Sequence, residues 1–115
     1  MRKHILSIGV AAIALGSATF LAPASAARPV VDAAEGRNVF SANCDQCHSA
    51  TSKSTKVGPG LLGLFKGAKL PASGKPVTDA NVRARIQKGG GGMPAFQGTL
   101  SEAQITSVIA YLRTL

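Results

Sequence analysis

The sequence contains no Trp and a single Tyr, and four Phe are its only other aromatic residues among 115. Phe20 falls in an apolar leader, so the rest of the chain has Phe40, Phe65, Phe96 and Tyr111 to fill a core. A domain of this size sits near the lower limit of independent stability, where a metal or another staple commonly supplements the core. Cysteine and histidine are scarcer still, at two each. A structural zinc site built from them would need all four, and His4 stands at the extreme N-terminus. No run alternates apolar and polar residues over a useful length, which argues against a sheet and against the βαβ setting of a thioredoxin-like dithiol.

What chemistry the chain does carry is concentrated in Cys44-Asp45-Gln46-Cys47-His48. The pattern C-x-x-C-H is a covalent haem attachment site. Two thiols three positions apart can sit on one edge of a turn and add to the two vinyl groups of one porphyrin. The next residue then offers an imidazole to the iron as the proximal axial ligand. The competing readings are a dithiol redox pair, a zinc site short of a fourth ligand, and a Cys44–Cys47 disulfide closing a very small loop. A buried porphyrin would also supply the apolar mass that so few aromatics leave missing.

The N-terminus points to export. Met1-Arg2-Lys3-His4 is a short basic start, Ile5 to Ala22 is mostly apolar, and Ala24-Ser25-Ala26 matches a small-residue cleavage site. Cleavage after Ala26 would leave a single domain of 89 residues, 27–115. An uncleaved anchor is the alternative, since Ile5–Ala22 reaches the lower length limit for a spanning helix. Gly9, Gly16, Ser7, Ser17 and Thr19 weaken it as a permanent span, and no other stretch could cross a membrane.

Removing Arg2 and Lys3 from the 13 basic residues leaves 11 against 5 acids, a net of +6. Lys53, Lys56, Lys66, Lys69 and Lys75 follow the C-x-x-C-H run within one stretch. Singly they read as solvated surface. Together they could form a basic rim that steers docking onto an acidic redox partner. Nucleic acid is the weaker partner class, because no aromatic-basic platform accompanies the charge.

Three helices are expected. The first runs from Asp32, a plausible N-cap, to Asn43, with Ala34, Val39 and Phe40 as buried candidates. The second runs from about Asp79 to Lys88, capped by Thr78, with Val82 and Ile86 on one face. The third begins at Ser101, where Ser-Glu-Ala-Gln is a capping-box pattern, and carries the stripe Ile105, Val108, Ile109 and Leu112. The long Gly-, Pro- and Lys-rich segment from Ser49 to Val77 is expected to line a cofactor, with a helical turn near Leu61–Phe65.

Met93, outside the leader the only Met, follows four glycines and precedes Pro94. A thioether is a soft, neutral ligand able to complete a His/Met pair and raise an iron potential. Pro94 biases Met93 toward extended backbone. By itself such a Met usually fills a core. With a haem site upstream, it becomes the expected sixth ligand.

The ordered set Cys44-x-x-Cys47-His48, Gly58-Pro59, Leu61, Met93-Pro94 and a last helix with Tyr111-Leu112 resembles the class I c-type cytochromes of small bacterial kind. The resemblance covers essentially all of residues 27–115. It implies an all-α, cytochrome c-like fold, three main helices around one haem c bound through two thioethers. It further implies that the Pro59 carbonyl accepts from His48 Nδ1–H, that Leu61 and Leu64 wall the haem, and that Gly36 and Phe40 meet Val108 and Tyr111. Many relatives hold a propionate with Trp, which is absent here; Arg83, Arg85 and Gln97 are the substitutes the sequence offers. The functional expectation is a monomeric one-electron carrier in the periplasm, not an enzyme, with His48 and Met93 on iron. A haem subunit of a periplasmic dehydrogenase or oxidase complex is the alternative, and a C-x-x-C thiol–disulfide oxidoreductase the alternative from another class.

Overall fold

The computed structural model describes residues 31–115, so the expected signal segment and its cleavage site lie outside the described residues. Three helices appear where local chemistry starts and stops them. α1 spans Ala33–Asn43, and the Asp32 side chain accepts from Glu35 N–H at 2.7 Å. α2 spans Asp79–Lys88, with Thr78 Oγ1 accepting from Asn81 N–H at 3.1 Å and Gly89, at φ 64°, ending it. α3 spans Glu102–Leu112 behind a complete capping box: Gln104 N–H donates to Ser101 Oγ, and Ser101 N–H donates to Gln104 Oε1. Each such N-cap is worth about 1 kcal/mol.

The core forms where α1 crosses α3. Ile105, Val108, Ile109 and Leu112 are at most 4 % exposed, and Val39 and Phe40 of α1 close over them. Gly36 permits the crossing, because a Cβ there would lie 1.9 Å from the Ser107 carbonyl oxygen and 2.9 Å from Tyr111 Cβ. Phe40 and Tyr111 meet edge to face, centroids 5.5 Å apart, an arrangement worth roughly 0.5–1.5 kcal/mol beyond burial. The expected meeting of the first and last helices is therefore present. α2 packs on α3 through Val82 and Ile86. Polar contacts lace the same seam: Arg83 to Glu102 at 3.0 Å, Gln87 to Glu102 at 2.9 Å, and Arg113 to Asp79.

The described residues contain no extended strand, only isolated bridges. The helical turn expected near Leu61–Phe65 is displaced: a 3₁₀ turn covers Leu64–Lys66. Gly63 explains the shift, since its left-handed φ of 70° stops the turn from beginning earlier. Parts of the loop between α1 and α2 line a cavity that α2 and the glycine-rich segment after it also line.

Candidate functional site

Cys44 is the C-cap of α1, its N–H donating to the Phe40 carbonyl at 2.7 Å. The chain then turns tightly. Cys47 N–H and His48 N–H both donate to the Cys44 carbonyl, at 3.1 and 2.9 Å. This turn carries both thiols and the imidazole onto the wall of one cavity of about 330 Å³. They do not converge on a point as zinc ligands would, for no group of three or more His, Cys, Asp or Glu among the described residues is placed to hold one ion. Nor does Cys44 resemble an attacking thiol. Burial, with the neighbouring Cys47 second, pushes its pKa up to about 11. Reactive C-x-x-C thiols are instead held low, commonly at a helix N-terminus, and Cys44 closes a helix C-terminus.

The imidazole is fixed from behind. His48 Nδ1–H donates to the Pro59 carbonyl at 2.8 Å; a carbonyl can only accept, so in the neutral ring the proton sits on Nδ1 and Nε2 carries the lone pair. Gly58 N–H donates to the Cys47 carbonyl at 2.8 Å, which anchors the supporting loop to the turn it supports. Gly58 must be small: a Cβ would fall 2.5 Å from His48 Cε1 and 2.9 Å from Nδ1. Such a partner orients a metal-binding His and raises its basicity.

Met93 lines the same cavity. It closes a tight turn in which Gly90 N–H donates to the Met93 carbonyl at 2.9 Å and Met93 N–H returns to the Gly90 carbonyl at 3.2 Å. Gly91 and Gly92, at φ 60° and 88°, have the positive angles of a type I′ turn. The glycines thus serve the turn itself; among the described residues, no heavy atom beyond their chain neighbours lies within 4 Å of a Cβ built on either. Phe96 N–H, donating to the Ile86 carbonyl at 3.0 Å, pins the segment back onto α2.

Pro59, Leu61 and Leu64 all line the cavity with Cys44, Cys47, His48 and Met93, whereas of the three candidate propionate partners only Arg85 does. Sequence reasoning left out Leu70, together with the Pro71–Ser73 rim and Val82 and Ile86 as wall residues. The Val82–Ile86 stripe was legible as a buried face; that it faces a cavity as well as α3 was not. The rim reaches the surface at Val57, 77 % exposed, and along Gly90–Gly92. The chemistry of this donor set fits a haem: two thiols beside an oriented imidazole, a thioether on the same cavity, and Leu, Val, Ile and Phe between them.

Comparison with known proteins agrees with that geometry. Residues 31–112 match the family described as cytochrome C oxidase, cbb3-type, subunit III. The chain is 44 % identical over 81 residues to cytochrome c6 of Leptolyngbya boryana, covering 70 % of this chain and 89 % of that protein. It is 36 % identical over 110 residues to cytochrome c6 of Nostoc sp. PCC 7120, covering 96 % and 91 %. Among solved structures, cytochrome c6 of the diatom Phaeodactylum tricornutum superposes with a TM-score of 0.58 at 28 % identity, covering 72 % of this chain and 92 % of that one.

Proposed function

The chain belongs to the class I c-type cytochromes, an electron carrier with covalently bound haem c, and from that premise we propose how its own residues hold and use the cofactor. Cys44 and Cys47 would form the two thioethers, His48 Nε2 and the Met93 sulfur would be the protein's ligands to its iron, and Pro59 holds His48 in the tautomer that leaves Nε2 free for that role. Leu61 and Leu64 exclude water from the cavity wall. Bound there, haem supplies one-electron Fe(III)/Fe(II) cycling. The observation that carries this reading is the single cavity lined by both thiols, the pre-oriented imidazole and the thioether.

With His48 and Met93 both offered to the haem, no substrate would need to reach it, and the role that fits is carriage of electrons. The surface-reaching rim at Val57 and Gly90–Gly92 gives electrons an exit. Residues 1–26 act as a secretory signal, and 27–115 work as a monomer in the periplasm. No helix among the described residues is long and apolar enough to cross a membrane.

Attachment is tested directly. Protein exported through a working maturation system should keep its colour with the polypeptide after acid-acetone extraction, and residues 27–115 should gain the mass of one haem. Colourless protein with two titratable thiols would refute the reading. The redox partners are proposed to dock through acidic surfaces, drawn by the net positive charge. The rate of electron transfer to an acidic partner should therefore fall as salt rises, because screening shortens the reach of those charges; a rate flat in salt would remove the steering.

A further inference from the structure

Arg85 is the one Lys, Arg, Asp or Glu among the residues lining the main cavity. The structure separates it from the other basic groups near α2. Arg83, two residues earlier, turns the other way: Nη1 meets Glu102 Oε2 at 3.0 Å and Nη2 donates to Thr106 Oγ1 at 2.9 Å. Arg113 pairs with Asp79 and lies over the Phe65 ring. Gln97 is exposed and lines no part of the cavity. Among the described residues Arg85, half-buried, pairs with no carboxylate. Its Nη1 donates to the Gly89 carbonyl at 3.1 Å, the one hydrogen bond of its guanidinium among the described residues.

A guanidinium carries five donors, so most of its fork is left for whatever fills the cavity. A cation on an apolar wall without a counter-charge is costly, and that planar fork matches a carboxylate. A second cleft of about 160 Å³ adjoins the first, sharing Leu70, Ser73 and Arg85. It adds Lys75 and Lys88 and no acid, so this end of the cavity is basic. The turn that presents Met93 also folds over the guanidinium, a Cβ on Gly90 falling 3.0 Å from Arg85 Nη1.

We propose that Arg85 is the counter-charge for the haem propionates in this chain, taking the place of the absent Trp. Through the Gly89 carbonyl it also ties the Met93 turn to α2. This rests on the reading that haem fills the cavity. A positive charge at that place disfavours the ferric state, so its loss lowers the potential.

The test is the midpoint potential of purified, haem-loaded wild type, Arg85→Gln, Arg85→Lys and, as control, Arg83→Gln. Arg85→Gln should shift the ferric–ferrous equilibrium toward ferric by roughly tenfold, about 59 mV for one electron. Arg85→Lys should restore most of the loss, and Arg83→Gln should leave the potential unchanged. If Arg85→Gln fails to mature while Arg85→Lys loads haem, the need for charge stands. A wild-type potential in Arg85→Gln, an equal fall in the Gln and Lys variants, failure of both to mature, or an equal fall in Arg83→Gln would overturn the proposal. Absence of attached haem in wild type would overturn the haem reading along with it.

Discussion

The two sides of the cavity are built on opposite plans. On the His48 side three backbone carbonyls tie the parts of the site to one another. The Cys44 carbonyl takes two N–H groups, the Cys47 carbonyl takes Gly58, and Pro59 takes the imidazole. On the Met93 side a four-residue turn stands out from α2, with Gly90, Gly91 and Gly92 exposed and, among the described residues, nothing beyond their chain neighbours within 4 Å of a Cβ built on the last two. One wall is over-determined and the other is held at few points. For the proposed ligand pair, the difference predicts that His48 keeps its place under perturbation and that Met93 yields first. Glycine marks both walls but for different reasons: at Gly58 there is no room for a side chain, and at Gly91 the backbone angle is the constraint.

Alanine substitution separates those reasons. Gly58→Ala should have the larger effect, because its Cβ would collide with the imidazole ring at 2.5 Å. Overpacking of this kind costs roughly 1–3 kcal/mol, and here it would also break the bond that orients His48. Denaturant unfolding of the haem-loaded protein should show the loss, with altered His48 resonances in NMR. Gly91→Ala should cost about 1 kcal/mol or less. The left-handed strain of its φ of 60° is partly offset by the lower entropy of the unfolded chain. Equal costs at the two positions would erase the contrast between the walls.

What could be read in advance follows how local its cause is. Asp32, Thr78 and Ser101 cap their helices because each side chain satisfies an N–H three residues on, which the sequence spells out. The C-x-x-C-H run and the Met-Pro pair are equally local, and the resemblance they carried gave the family and the fold. Gly63 was overlooked as a breaker, so the 3₁₀ turn came three residues late. Arg83 and Arg85 could not be ranked at all. At 3.6 residues per turn they lie about 80° to either side of the Val82–Ile86 stripe, so which flank meets α3 and which meets the cavity is decided by packing alone. The type I′ turn at Gly91–Gly92 was hidden for a related reason: a run of four glycines does not say which of them take positive φ for a turn.

The central claim is that His48 and Met93 complete one iron between these unequal walls, and the ferric absorption spectrum tests it most directly. Wild-type protein near neutral pH should show a sulfur-to-iron charge-transfer band. Met93→Ala should lose that band, fall in potential, and bind carbon monoxide when reduced, while both thioether links remain. A wild-type protein that lacks the band and binds carbon monoxide readily when reduced would contradict the account.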